Sequence, residues 1–247
     1  MNKILLLVTI AVLAAACSPT PAPSAAATAA AATAAAPTAA APTAAAPSPL
    51  PATATQPPSP IATPAADGPR VVGEADAGLT ARAAEAIAAL RDHDLAALAA
   101  LAHPRKGVTF SPYGFVRTPQ KDSSEADLVF SREQIPGLWA DPTVYQWGSY
   151  DGSGLPIEGT FQEYYGEFVY DADFARPEVI GYGETIGRGN TINNIAEVWP
   201  AGVTVEYHFS GFDPQYAGMD WRSLRLVFEQ VDGAWVLVGV VHDQWTI

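Results

Sequence analysis

The sequence predicts an α+β domain over residues 68–247, with N-terminal helices packed on a curved antiparallel sheet in a cone-like arrangement, preceded by a disordered tether. Three observations predict it. Apolar residues recur at helical spacing only near the start of the domain, in "AGLTARAAEAIAALRDHDLAALAALA". Runs rich in β-branched and aromatic residues follow, of the kind that suits a half-buried pleated surface. The chain then closes on two long apolar runs joined by Asp232-Gly233, the dipeptide that a two-residue type I′ hairpin favours.

The first helix is read from Leu79, Ala83, Ile87 and Leu90, which fall on one face at steps of four and three. Asp92 or Asp94 ends it and caps a shorter helix that halts before His103-Pro104. Two capping boxes signal further short helices, Ser131 with Gln134 and Thr160 with Glu163. Strands are expected in "GVTFSPYGFV", "TVYQWGSY", "EVIGYGETIG" and "GVTVEYHFSG". The alternation of Thr204, Glu206 and His208 in the last reads as a solvated face.

The Asp-Gly turn sets a register for the final hairpin. In a regular ladder Phe228 faces Leu237, Leu226 faces Gly239, Leu224 faces Val241, Ser223 faces His242 and Arg222 faces Asp243. Arg222 and Asp243 are then a cross-strand ion pair of about 0.2–1 kcal/mol at the rim of the apolar layer. The opposite face, with Ser223, Arg225, Glu229 and His242 among valines, is half polar and reads as meeting solvent or a second subunit. The terminal "HDQWTI" is better read as a polar edge that closes the sheet than as a site, although strand ends are also where sites are built.

Composition divides the chain. Residues 1–17 form a signal segment: Lys3 supplies positive charge, Ile4 to Leu13 an apolar run too short to span a bilayer, and Ala14 to Cys17 the sequence "AAAC". This resembles a bacterial lipobox, with Ala14 where that pattern prefers Leu. It implies acylation of Cys17, palmitate included, and a protein lipid-anchored on the extracytoplasmic face of the cell membrane. Residues 18–67, almost wholly Ala, Thr, Pro and Ser, are expected to be a semi-extended tether, since recurrent prolines break helix and nothing is available to bury. Cys17 is the single cysteine, so an intrachain disulfide is excluded.

All 24 aromatics lie from Val71 onward, with 25 acidic and 11 basic side chains, a net of −14. A surface so acidic repels nucleic acid, which is excluded as a partner. The basic group His103, Arg105 and Lys106 is the one local positive cluster. It is read as a turn that neutralises nearby acids, or as a receiver of carboxylate or phosphate. "YDGSG" (150–154) reads as a hairpin turn and "GRGNTINN" (187–194) as a turn followed by a helix cap. No HExxH, closely spaced histidine pair or G-x-S-x-G occurs, so no metal, cofactor or catalytic residue is assigned. The candidate binding residues are His103, Lys106, Arg222, His242 and Asp243.

Two helices followed by helix-interrupted strands and a long hairpin resemble the ketosteroid-isomerase and nuclear-transport-factor-2-like layout. "HPRKGVTFSPYGFV", "YQWGSYDGSGLPI", "GRGNTINN", "GMDWRSLRLVFE" and "HDQWTI" together resemble a family of uncharacterised bacterial lipoproteins, over roughly residues 80–247. That family implies the anchor but no activity, ligand or site residue. Three functions stay open: an envelope binding or accessory domain for a small molecule, wall component or envelope protein; a hydrolase, isomerase or dehydratase with a His/Asp proton-transfer pair; or an interaction scaffold. An enzyme requires a buried acid or histidine of altered pKa in an open cavity, and a scaffold requires a packed core with an exposed apolar patch.

Overall fold

The computed structural model describes residues 68–119 and 126–246. The expectations for residues 1–17, Cys17 and the 18–67 tether lie outside them. The described chain is mixed α+β, with few helices and one large curved sheet.

The helices form where their caps and spacing place them. α1 (Ala77–Arg91) starts at Asp76, whose carboxylate accepts the Leu79 N–H, and it buries Leu79, Ala83, Ile87 and Leu90. Asp92 ends it, and Asp94 caps α2 (Leu95–Leu101) by accepting from Ala97. α3 (Phe161–Phe168) carries the full Thr160–Glu163 capping box. The Ser131–Gln134 box is only half made: the Gln134 side chain takes the Ser131 N–H, and the Ser131 hydroxyl turns to Glu133. With Pro136 next in line, the segment becomes a 3-10 helix over Ile135–Ala140.

The sheet order is β1 (Arg70–Gly73), β6 (Val179–Tyr182), β7 (Val203–Phe209), β8 (Arg222–Val231), β9 (Ala234–Gln244), β2 (Val108–Ser111) and β3 (Leu128–Phe130). β4 (Tyr145–Ser149) and β5 (Pro156–Gly159) pair separately, joined by the expected "YDGSG" turn. The sheet is not wholly antiparallel, since β1 runs parallel to β6 and β2 parallel to β9. β2 also ends at Ser111, so "PYGFV" leaves the sheet as a loop.

On one face α1, α2 and α3 cover the sheet. Trp147, Phe161, Tyr164, Tyr165, Phe168 and Phe174 fill the space between, with Trp147 stacked on Tyr164 at 4.0 Å. The other face is buried as well. A strap of residues 183–199, including α4 (Ile195–Val198), seats Ile195 and Trp199 against Val116, Val227, Val238 and Val241. The face expected to meet solvent is therefore a second core, and Glu206, His208, Ser223 and Arg225 are all buried in it.

The type I′ turn forms, with Asp232 at φ +51° and Gly233 at φ +80°, and Phe228 faces Leu237. Beyond that pair the register slips. Val227 faces Gly239, so Val238 is the extra residue of a β-bulge, and every later pair moves by one. Leu226 faces Val240, Leu224 faces His242, Ser223 faces Asp243 and Arg222 faces Gln244. The bulge sits where Trp199 lies on the backbone: a Cβ on Gly239 would come within 2.9 Å of the indole. Gly239→Ala is therefore expected to lower stability by about 1–3 kcal/mol, read as a shifted urea midpoint at unchanged slope. An unshifted midpoint would mean that the indole is not seated there.

Candidate functional site

The five sequence-derived candidates fall in three places. His103 and Lys106 lie beside Glu229, near the turn end of β8. The His103 Nδ1 accepts the backbone N–H groups of Arg105 and Lys106 at 3.1 and 2.9 Å, which leaves the ring proton on Nε2. Lys106 Nζ meets the Glu229 carboxylate at 2.6 and 2.9 Å. Burial, with the charge of Lys106, holds His103 below its ordinary pKa. This is a turn whose positive charge is already neutralised, seven residues and about 23 Å along β8 from Arg222.

His242 and Arg222 occupy the helix-covered face at the opposite end, and both bind Asp171. His242 Nε2 lies 3.2 Å from one Asp171 oxygen, and Arg222 Nε donates to the other at 2.7 Å. His242 Nδ1 faces the Pro112 carbonyl at 3.3 Å. Burial raises the Asp171 pKa, but the hydrogen bonds and charges of His242 and Arg222 outweigh it and hold the carboxyl below its usual range. Arg222 does not pair with Asp243, because the bulge has turned Asp243 to the other face.

There Asp243 joins a buried network that crosses three strands. Arg225 Nη1 donates to Asp243 at 2.5 Å, Nε to Glu206 at 3.1 Å, and Nη2 to the Gly187 carbonyl at 2.8 Å. The Ile186 and Gly187 N–H groups return to Glu206, which also accepts the Ser223 hydroxyl at 2.6 Å. His208 Nδ1 lies 2.9 Å from the same hydroxyl. The His–Ser–carboxylate order suggests a nucleophile, yet the serine proton is committed to Glu206 and the oxygen is enclosed, so none is available. Burial opposes the charges of Glu206 and Arg225, but their mutual attraction prevails: Glu206 is held below its ordinary value and Arg225 above. His242 and Asp243 of "HDQW" thus clasp opposite faces of the sheet, through partners that the sequence does not pair.

An open site lies elsewhere. The loop after β2, the β4–β5 turn and the strap meet at a cleft of about 240 Å³ lined by Tyr113, Phe115, Arg117, Asp151, Asn190, Thr191 and Ile192. Its walls are fastened through backbone. Asn194 holds both polar groups of Val116, accepting its N–H at 2.7 Å and donating to its carbonyl at 3.0 Å. Asp127 does the same for Arg117: its Oδ2 accepts the Arg117 N–H at 3.0 Å, while its own N–H reaches the Arg117 carbonyl at 2.9 Å. Asn190 donates to the Thr246 carbonyl at 2.9 Å, tying the strap to the chain end.

Asp127 is a buried acid whose pKa is raised rather than lowered. Burial, opposed by hydrogen bonds and the Arg117 charge, pushes it up to about 7. The adjacent Ser111 hydroxyl gives its single proton to the Tyr113 carbonyl, which leaves Asp127 Oδ1 without a donor; the enclosed Tyr164 hydroxyl also lacks a partner. Asp127, Arg117 and Asp151 were not legible as a set, because their segments meet only through the fold. Among the described residues no group of three or more His, Cys, Asp or Glu side chains is arranged to hold a metal, and no helix is long and apolar enough to cross a membrane. Comparison with protein-family models, curated proteins and solved structures gives no match.

Two outcomes follow. Arg225→Ala leaves two buried carboxylates uncompensated and is expected to cost about 3–5 kcal/mol in chemical denaturation. The triple change Arg225→Met, Glu206→Gln and Asp243→Asn recovers most of it. The pH dependence has two signs. Asp171 and Glu206, lowered in the fold, stabilise above the ordinary carboxylate range, and that stability is lost as pH falls through their folded values. Asp127, raised to about 7 from 3.8, makes the fold retain a proton the unfolded chain has lost, so stability declines as pH rises across that window. Asp127→Asn removes this decline in thermal midpoints taken from pH 4 to 8; a decline that persists assigns it to another group.

Proposed function

We propose that the protein is a lipid-anchored cell-envelope protein whose extracytoplasmic domain binds a small polar molecule in the Arg117–Asp151 cleft. The observation that carries the binding reading is a contrast. Polar side chains from three separate segments converge on an open cleft, whereas the histidine and aspartate groups on the two sheet faces are closed, His242 on Asp171, Asp243 on Arg225 and His208 on Ser223. A preformed concavity with a few convergent polar groups on rigid walls is the usual form of a ligand site.

The anchor reading is supported by Lys3, the Ile4–Leu13 apolar run and Cys17 as the single cysteine. The tether of residues 18–67 then holds the domain clear of the membrane, within reach of wall polymer or other envelope proteins. Helices on one face of a large sheet support a cone of the ketosteroid-isomerase-like kind, here with its interior occupied by aromatics. That filling disfavours an isomerase or dehydratase in the cone. Its His/Asp pair would be His242 with Asp171, and both histidine nitrogens are already engaged.

Two measurements test the proposal. Cys17→Ala is expected to move the protein from the membrane to the soluble fraction and to abolish incorporation of labelled palmitate; membrane retention without the cysteine overturns the anchor. A thermal-shift screen of the full chain against sugars, amino acids and short peptides is expected to give a stabilising ligand whose effect is lost in Thr191→Trp, which fills the cleft. No stabilising ligand, or a shift that survives the filling, overturns the site.

A further inference from the structure

The cleft holds two opposite charges that do not meet. Arg117 and Asp151 both line it, yet they form no ion pair with each other within 4.0 Å. Arg117 lies against the bare backbone of Gly148, where a Cβ would come within 3.2 Å of Nη1. The Asp151 carboxylate accepts the Gly152 N–H at 3.1 Å and has only a long 3.5 Å contact from Thr191, so lone pairs remain for a donor. Asn190, Thr191 and the apolar Phe115 and Ile192 also line the cleft.

From this geometry we infer that the cleft takes a small zwitterion, an amino acid or short peptide, with its carboxylate on Arg117 and its ammonium on Asp151. The inference rests on the reading of the cleft as the binding site. A guanidinium presents a planar fork that matches a carboxylate, and an ionised carboxylate is an acceptor only, suited to an ammonium. A simple anion meets repulsion from Asp151 and from a domain of net charge −14. A simple cation meets Arg117. Only a ligand carrying both charges gains at both ends. A volume of about 240 Å³ lies just below the ~300–1,000 Å³ of drug-sized ligand pockets, which favours an amino acid or short peptide over an oligosaccharide. Phe115 and Ile192 supply the apolar wall for its side chain. Asp127 and Asn194 act as positioning residues, since they hold the Val116–Arg117 backbone and do not line the cleft.

The test is titration of the full chain in detergent, by calorimetry, with alanine and dialanine, with the half-ligands acetate and methylammonium, and with glucose. The expected result is binding of a zwitterion at least tenfold tighter than of either half-ligand, weakened at least tenfold by Arg117→Gln and by Asp151→Asn, and lost in Thr191→Trp. Both charge variants are expected to stay folded, because the clamps hold the backbone groups of residues 116 and 117. Glucose or a half-ligand binding as tightly as the zwitterions, and blocked by Thr191→Trp, overturns the zwitterion assignment and leaves the cleft as a site. Zwitterion binding indifferent to all three variants overturns both, and so does the failure of every probe to bind.

Discussion

The Arg225 guanidinium, enclosed between Glu206 and Asp243, is the interaction on which the second face of the sheet depends. A charge in that position is costly without partners, and each partner comes from a different stretch of chain: β7, β9 and the Gly187 carbonyl of the strap. Satisfying it therefore fixes three strands in register and pins the strap over them. Glu206 completes the arrangement by accepting the strap's Ile186 and Gly187 N–H groups, backbone donors that would otherwise be left inside without a partner. The valines and Trp199 of the second core supply burial, but the ionic network supplies direction, which apolar contact does not.

The bulge at Val238 makes this possible. Side chains alternate along a strand, so one inserted residue exchanges the faces of everything beyond it. Without it, His242 would fall on the Arg225 face and Asp243 opposite Arg222 among the aromatics, which leaves the buried Arg225 with Glu206 as its one carboxylate partner. With it, Asp243 reaches Arg225 while His242 and Arg222 share Asp171 on the other side. The last polar residues of β9 thus fasten both layers at one end of the sheet.

What was legible in the sequence was local. The α1 face, the Asp94 and Thr160 caps and the Asp232-Gly233 turn follow from spacing and cap chemistry within a few residues, and each formed. The bulge was not legible, because what packs on it is remote: Trp199, forty residues away, lies on Gly239. One missed insertion then misassigned the face of Asp243 and the partner of Arg222. The covered second face was hidden for a related reason. Arg225, Glu206 and His208 alternate with apolar residues as solvated positions do, and only the strap distinguishes burial from exposure. An arginine in the middle of "LRLVF" was the available signal, since such a side chain needs carboxylates if the strand is central.

At the cleft the charged side chains are separate from the contacts that hold the framework, as they are not in the two clasps. In the clasps each charged side chain holds the fold, so its removal is felt as lost stability. At the cleft, Asn194 and Asp127 grip the peptide groups of Val116 and Arg117, a task indifferent to which side chain residue 117 carries. The Arg117 guanidinium thus sits in an open cleft while its backbone is held on both sides, and Asp151, on the neighbouring turn, stands near it without neutralising it. His242, Asp171, Glu206 and Asp243 are engaged in closed networks, whereas Arg117 and Asp151 stand apart across a cleft, and it is this contrast that argues for a ligand between them.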